Sequence, residues 1–248
     1  MPEIDLNADL GEGVGDDAAM LGIVSSANVS CGCHAGDAGT MATAFATARA
    51  QGVRTGAHPG YPDRANFGRL VVPMTVAEVE RMVAWQVGAA MGVAALAGTR
   101  IAYVKAHGAL YNLAATDRGI ADAIARAVRA VDSRLTILCP AASQAETAAN
   151  DAGLPVAAEV FADRAYRPDG TLVPRGEPGA VIHDPAQVSA RVLAMLEAGA
   201  VKAVDGTEVP LRIDSVCLHG DTPGAVALAR ALRATLEAAG WRIAPFVA

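Results

Sequence analysis

Residues 101–112 read Ile-Ala-Tyr-Val-Lys-Ala-His-Gly-Ala-Leu-Tyr-Asn: a short apolar run that ends on Lys105 and His107 before a glycine turns the chain. An apolar run too short for a helix, closed by polar residues and glycine, predicts a buried strand of a parallel sheet with its chemistry at the C-terminal end. The same arrangement recurs in both directions from this point. Strands are expected over 4–8, 26–30, 54–57, 101–105, 136–139, 157–160 and 215–218, about seven in all. Ala-rich stretches with helical spacing lie between them, over 17–23, 40–50, 76–98, 117–131, 143–151, 185–198 and 223–239. Thr75 and Glu78 have the spacing of a capping box, and Gly52, Gly153, Gly199 and Gly240 stand where helices end. Alternating strands and helices with no Ser/Gly/Pro-rich linker predict an α/β fold in one domain over residues 1–248. The stretches 59–73 and 162–178, rich in Arg, Asp, Gly and Pro, follow predicted strands, where α/β proteins place ligand-binding loops.

Composition narrows the function classes. The chain has 248 residues, 52% hydrophobic and 19% charged, long enough to bury a large core and too apolar for disorder. Its net charge is −6 and its 20 Lys and Arg are scattered, which argues against nucleic acid as a partner. No apolar run reaches the roughly 20 residues that span a bilayer, so no membrane association is expected. The acidic start MPEIDLNADLGEG carries no export signal, and a cytoplasmic location is the expectation. Cys31, Cys33, Cys139 and Cys217 fit neither a disulfide framework nor paired zinc knuckles, and Cys31-Gly-Cys33 reads first as reduced thiols facing a core.

Each predicted strand is followed by ionisable residues. The strand ends carry Asn7, Asp9 and Glu12; His34 and Asp37; His58, Asp63 and Arg64; Lys105, His107, Tyr111 and Asn112; Asp163 and Arg164; His219 and Asp221. Of five histidines, four (His34, His58, His107 and His219) fall at these ends, whereas His183 reads as a surface or capping residue. Any one of the four alone is explained by a hydrogen-bonded core histidine; together they point to acid–base or metal chemistry. Lys105 is one of only two lysines and sits within an apolar run, so its ammonium needs a carboxylate or an anionic ligand. The chain lacks GxxxxGK[ST], GxGxxG after a strand, GxSxG and HExxH, and GEGVG at 11–15 reads as a loop.

The strings DLNADLGE, CGCHAGD, GAHPGYPDRANFGR, VKAHGALYN, EVFADRAYRPDGTLVPR and CLHGD, in this order from Asp5 to Asp221, resemble the LamB/YcsF family. The chain departs from that pattern at Cys33, Ala106 and Leu70, where the family usually has an aromatic, a proline and an arginine. The resemblance implies a seven-stranded (β/α) barrel of the glycoside hydrolase/deacetylase type. It implies the activity of the A subunit of a 5-oxoprolinase, which opens the lactam of 5-oxo-L-proline to L-glutamate. That reaction is coupled to hydrolysis of ATP, with Mg2+, and uses partner subunits B and C.

Under that reading Asp9, Glu12, His34, Asp37 or His58 would position and deprotonate water, with a divalent metal on Asp9, His34 and His58 as one option. Lys105 with Arg64 or Arg164 would hold the substrate carboxylate or a phosphoryl group. His107, His219 or Asp221 would protonate the leaving nitrogen. Asn7, Asp63, Tyr111, Asn112 and Asp163 complete the expected substrate-binding set. Two other readings are a stand-alone metal-dependent amide or carbohydrate deacetylase, and a non-catalytic subunit that presents substrate to a partner.

Overall fold

The chain folds in the order β1 (Glu3–Leu10), α1 (Asp17–Leu21), β2 (Ser26–Ser30), α2 (Ala38–Gln51), β3 (Arg54–His58), α3 (Val76–Leu96), β4 (Ile101–Val104), α4 (Gly108–Thr116), α5 (Arg118–Val131), β5 (Thr136–Pro140), α6 (Gln144–Asp151), β6 (Val156–Phe161), α7 (Pro185–Ala198), β7 (Ala200–Lys202), β8 (Glu208–Pro210), β9 (Ser215–Leu218), α8 (Ala225–Ala238) and β10 (Arg242–Ile243). This computed structural model describes residues 1–218, 220 and 224–247. His219 and Asp221, both singled out from the sequence, lie outside the described residues.

Seven parallel strands, β1 to β6 and then β9, close into a barrel through the pairing of β9 with β1, where Asn7 lies opposite Cys217. The seven-stranded (β/α) barrel expected from the sequence is therefore the observed fold. Each barrel strand lies within a few residues of its expected bounds. β7 and β8 form a separate antiparallel ribbon, and β10 adds a two-residue parallel pairing to the start of β1.

Period-2 alternation divides each strand between two environments. On β1, Leu6, Ala8 and Leu10 belong to the main apolar core, while Asp5, Asn7 and Asp9 bond to polar groups of other barrel strands. On β2, Ala27 and Val29 are apolar, whereas Ser26 and Asn28 join the same polar set. The barrel interior is thus a polar column wrapped by apolar strand backs and amphipathic helices.

Asp5 accepts hydrogen bonds from Ser25, Ser26 and Ser215. Asn7 Nδ2 donates to Ser215 at 2.7 Å and to Glu159 at 3.2 Å, and Asn28 Nδ2 donates to Asn7 Oδ1 and to Asp9. The Tyr103 hydroxyl donates to Asn28 at 2.7 Å, and the Phe246 ring packs edge to face on Tyr103 at 4.9 Å. Every buried polar group in this column needs such a partner, because an unpaired one costs roughly 1–3 kcal/mol.

The helix ends follow the expected chemistry. Thr75 and Glu78 form a capping box on α3, and Gly52 and Gly199 close α2 and α7 in left-handed backbone. All four cysteines are free and buried, and burial pushes the Cys31 thiol up to about 12, as suits a core thiol.

Candidate active site

The C-terminal ends of the barrel strands open into a cavity of about 650 Å3, lined among others by Asp9, Glu12, His58, Lys105, His107 and Tyr111. β1 contributes Asp9 at its penultimate position, and the glycine turn that follows brings Glu12 inward, buried at 7% exposure. β3 ends on His58, while His107 is the residue before the first turn of α4. His34 comes from the loop after β2 and is likewise buried.

These groups form one cluster. His58 Nε2 lies 2.9 Å from His107 Nδ1 and 3.3 Å from Asp9 Oδ1. Glu12 Oε1 lies 3.1 Å from His34 Nε2 and 3.4 Å from His107 Nδ1. The His34 ring stacks on His107 at 3.8 Å, the planes within 2°. Loop glycines permit this approach: a Cβ at Gly60 would stand 2.6 Å from His34 Nδ1, and one at Gly68, whose φ is +64°, would stand 2.7 Å from His34 Cβ. Gln86 on α3 fixes Gly60 in turn, accepting from its N–H and donating to its carbonyl.

Two backbone carbonyls decide the tautomers. His58 Nδ1 donates to Lys105 O at 2.8 Å, and His107 Nε2 donates to Phe67 O at 2.8 Å. A carbonyl only accepts, so in each neutral ring the other nitrogen carries a lone pair. Those other nitrogens, His58 Nε2 and His107 Nδ1, are the pair that face each other at 2.9 Å. Opposed lone pairs at this distance demand a proton or a cation between them, and Asp9 and Glu12 supply the negative charge to hold either. Burial, with His58 adding to it, pushes His107 down to about 3, and burial with the other two imidazoles pushes His34 lower still.

Lys105 lies beneath this cluster. Its Nζ is 3.0 Å from Glu159 Oε2, 3.1 Å from Asn7 Oδ1, 3.0 Å from Cys217 Sγ and 3.4 Å from Asp9 Oδ1. Burial acts to lower the lysine, but Asp9, Cys217 and Glu159 outweigh it and hold the ammonium well above its usual range. Burial likewise acts to raise Asp9, but His58 and Lys105 hold it well below the usual carboxylate range. The interior therefore keeps one ammonium and the ionised Asp9 carboxylate at the cavity floor.

The remaining sequence candidates divide by position. Asp9, Glu12, His58, Lys105, His107, Tyr111, Asn112 and Arg164 line the cavity. Asn7 lies below it as a partner of Lys105. Asp37 is the exposed N-cap of α2, in a capping box with Thr40, and Asp63 caps the short helical turn Arg64–Asn66. Arg64 donates to the carbonyls of Gly32 and Gly36, tying two loops together, and Asp163 is buried near Arg164 and Arg191. Among the described residues, the groups that could hold a metal ion are Glu12, His34, His58 and His107, their donor atoms within 4.8 Å of one another. Asp9, offered from the sequence as a ligand with His34 and His58, is the 3.3 Å neighbour of His58 rather than a member of that set.

Glu159 was not among the sequence candidates. It is the one acid in the VAAEVF strand, buried at 3% exposure, paired with Lys105 and lining the cavity. A lone acid inside an apolar strand, in a chain with a lone lysine inside another, was the signal that could have found it.

A sequence model of the LamB/YcsF family matches residues 4–248. A relative from Azorhizobium caulinodans, named as the A subunit of 5-oxoprolinase, is 53% identical over 251 residues, covering 99% of this chain and 99% of that protein. The crystal structure of a lactam utilization protein from Thermus thermophilus superposes with a TM-score of 0.92 at 42% identity, covering 98% of this chain and 99% of that one. A solved T48 deacetylase shares the fold alone, with a TM-score of 0.50 at 14% identity over 99% of this chain and 88% of that one.

Proposed function

The chain belongs to the LamB/YcsF family, and from that membership we propose that it is the lactam-opening subunit of an ATP-dependent 5-oxoprolinase. The observation that carries the reading is the opposed imidazole pair, His58 Nε2 and His107 Nδ1, bracketed by Asp9 and Glu12 at the floor of the cavity. Ring opening of a lactam needs a deprotonated water, a site for the substrate carboxylate and a proton for the departing nitrogen.

Asp9, Glu12 and His58 orient the water and take its proton, since the half-buried Asp9 and the buried Glu12 and His58 meet around one point. Lys105, surrounded by internal acceptors, keeps Asp9 ionised and holds Glu159 in place. Arg164 holds the substrate carboxylate: it lines the cavity and its Nε is buried with no hydrogen-bond partner. The departing nitrogen takes its proton from His107 or from His219 or Asp221, which follow β9 in sequence.

The donor set also fits a divalent cation. Glu12, His58 and His107 would hold it, because the carbonyl-locked tautomers present two lone pairs beside a carboxylate; His34, whose Nε2 faces Glu12, would support that carboxylate. A bound cation would lower the pKa of water at this point toward neutrality. The chain carries no phosphate-binding loop motif, in keeping with ATP being used together with subunits B and C. Phosphorylation of the lactam oxygen would make it a better leaving group.

The test is glutamate release from 5-oxo-L-proline, with ADP followed in parallel, for this chain alone, for B and C alone, and for all three with ATP. The expected result is glutamate in step with ADP only in the complete mixture, with His58→Ala and Lys105→Ala each lowering it about 100-fold or more while the circular dichroism is unchanged. Amide hydrolysis by the chain alone without ATP would favour the stand-alone deacetylase. Full activity with both substitutions would favour a substrate-presenting subunit.

A further inference from the structure

Left-handed backbone in a residue with a side chain costs free energy, and it persists where surrounding bonds fix it, above all around reacting groups. Among the described residues two non-glycine residues adopt it, Phe67 at a φ of +57° and Ala142 at +56°, and both border the cavity. Ala142 is held locally, its N–H donating to Glu146 on α6 at 2.6 Å. Phe67 reaches the imidazole cluster. It follows the short helical turn Arg64–Asn66, and its carbonyl is the one that accepts from His107 Nε2 at 2.8 Å. Its half-buried ring stands edge to face against both His34 and His107, at 6.0 and 5.7 Å, and the Arg69 guanidinium lies over it at 5.2 Å.

The loop that carries Phe67 is tied on both sides. The Gly68 N–H donates to Asp63 O at 2.8 Å, the Asn66 amide donates to Asp63 Oδ1 at 2.9 Å, and the Ala109 N–H of α4 donates to Gly68 O at 3.0 Å. Arg64 adds its bonds to the carbonyls of Gly32 and Gly36. Turning Phe67 out of the left-handed region would rotate the peptide that follows it and swing its carbonyl away from His107. We propose that Phe67 is a positioning residue of the candidate active site: its ring, seated against His34 and His107, holds the backbone left-handed, and that backbone aims the carbonyl that fixes the His107 tautomer. An outer partner of this kind orients a histidine and decides which ring nitrogen carries the proton. With Nε2 engaged as the donor, His107 keeps Nδ1 toward His58 at 2.9 Å. The inference rests on His58 and His107 being the reacting pair.

Two variants separate backbone from ring. Phe67→Ala and Phe67→Gly both lose the ring, but glycine adopts left-handed backbone freely and alanine does not. In the coupled glutamate assay, kcat is expected to fall about 10–100-fold in Phe67→Ala, the range for losing an outer partner of an active-site histidine, and to return to within about threefold of the unaltered protein in Phe67→Gly. KM should move alike in both, since both lose the same cavity surface. Phe67→Gly should also unfold about 2–4 °C above Phe67→Ala, the reverse of the usual order of these residues. Phe67→Asn, which tolerates left-handed backbone, should follow the glycine variant, and Phe67→Ser stands in for Phe67→Ala should that chain not fold.

Nitrogen-15 NMR of the histidine rings reads the tautomer without any substrate, in the full chain dialysed against chelator so that no cation fixes the rings. His107 should be protonated on Nε2 in the unaltered protein and in Phe67→Gly, and divided between its two tautomers in Phe67→Ala. Equal kcat in the alanine and glycine variants, or His107 protonated on Nε2 in both, overturns the inference. A complete mixture that makes no glutamate sinks the 5-oxoprolinase reading, and the tautomers and unfolding temperatures still judge this one.

Discussion

Arg64 and Arg164 each follow an aspartate on a loop beyond a barrel strand, and they finish with different tasks. Arg64 spends its Nη1 on the carbonyls of Gly32 and Gly36, whereas Arg164 is buried in the cavity wall with a donor to spare. Arg164→Ala is therefore expected to raise KM for 5-oxo-L-proline about tenfold or more, the scale of one charged hydrogen bond. Arg64→Ala should lower Tm by about 2–4 °C and leave KM within about twofold. Steady-state kinetics and thermal scans on the two variants check both, and the reverse pattern would exchange their roles. The sequence named both arginines and had no means of ranking them, because Asp63-Arg64 and Asp163-Arg164 are the same dipeptide in similar loops. Asp37 likewise reads as a strand-end acid until its bond to Thr40 N identifies a helix cap. His34, His58 and His107 were legible because a histidine at the end of a buried strand has few other uses.

At the scale of elements, β3 and β4 are matched through one contact. A Cβ added at Gly56 would stand 2.3 Å from the Tyr103 ring, whose hydroxyl holds Asn28, which in turn donates to Asp9. Gly56→Ala must displace a ring that Phe246 covers from below, so a loss of about 1–3 kcal/mol is expected by urea unfolding, the usual range for an overpacked core. Activity should fall further than stability explains, since Asn28 loses its anchor; unchanged unfolding and kinetics would show that the ring has room to move. The barrel strands and seven of the eight helices were readable from apolar runs, helical spacing and caps. α4, β7, β8 and β10 were not. α4 begins at Gly108, with a φ of +53° and no side-chain cap, directly after a strand end, so no start signal precedes it. β7, β8 and β10 span two or three residues each, too few to show a period, and exist because a neighbouring segment is there to pair with.

The whole molecule sets the charge state of the polar column. Asp5 sits near its lower end, and burial pushes its carboxyl up to about 6 although three serine hydroxyls act to lower it. The folded protein thus keeps a proton at pH values where the unfolded chain, with its aspartate near 4, has released it. The stability contributed by Asp5 falls as pH rises from about 4 to about 6 and is level above that, a change of about 2–3 kcal/mol. Urea unfolding of the unaltered protein and of Asp5→Asn between pH 4 and 7 should show the difference between them shrinking over that interval; parallel curves would mean that Asp5 ionises normally. Asp9, four residues along the same strand, moves in the opposite direction because His58 and Lys105 reach it, whereas Asp5 is met by serine hydroxyls and by the Glu159 carboxylate, which adds to the upward push.

The amino-acid sequence by itself determined the seven-stranded alternation and the histidines that gather at the C-terminal face of the barrel. Periodicity and strand-end residues are local, written within a few positions of one another. The tertiary structure alone decided that Glu159 pairs with Lys105 and that His58 Nε2 and His107 Nδ1 meet at 2.9 Å. It also decided which of two equivalent arginines enters the cavity. Those outcomes depend on barrel closure, which brings β1, β4, β6 and β9 around one axis across more than a hundred residues of chain, and on backbone carbonyls whose direction no side-chain pattern records.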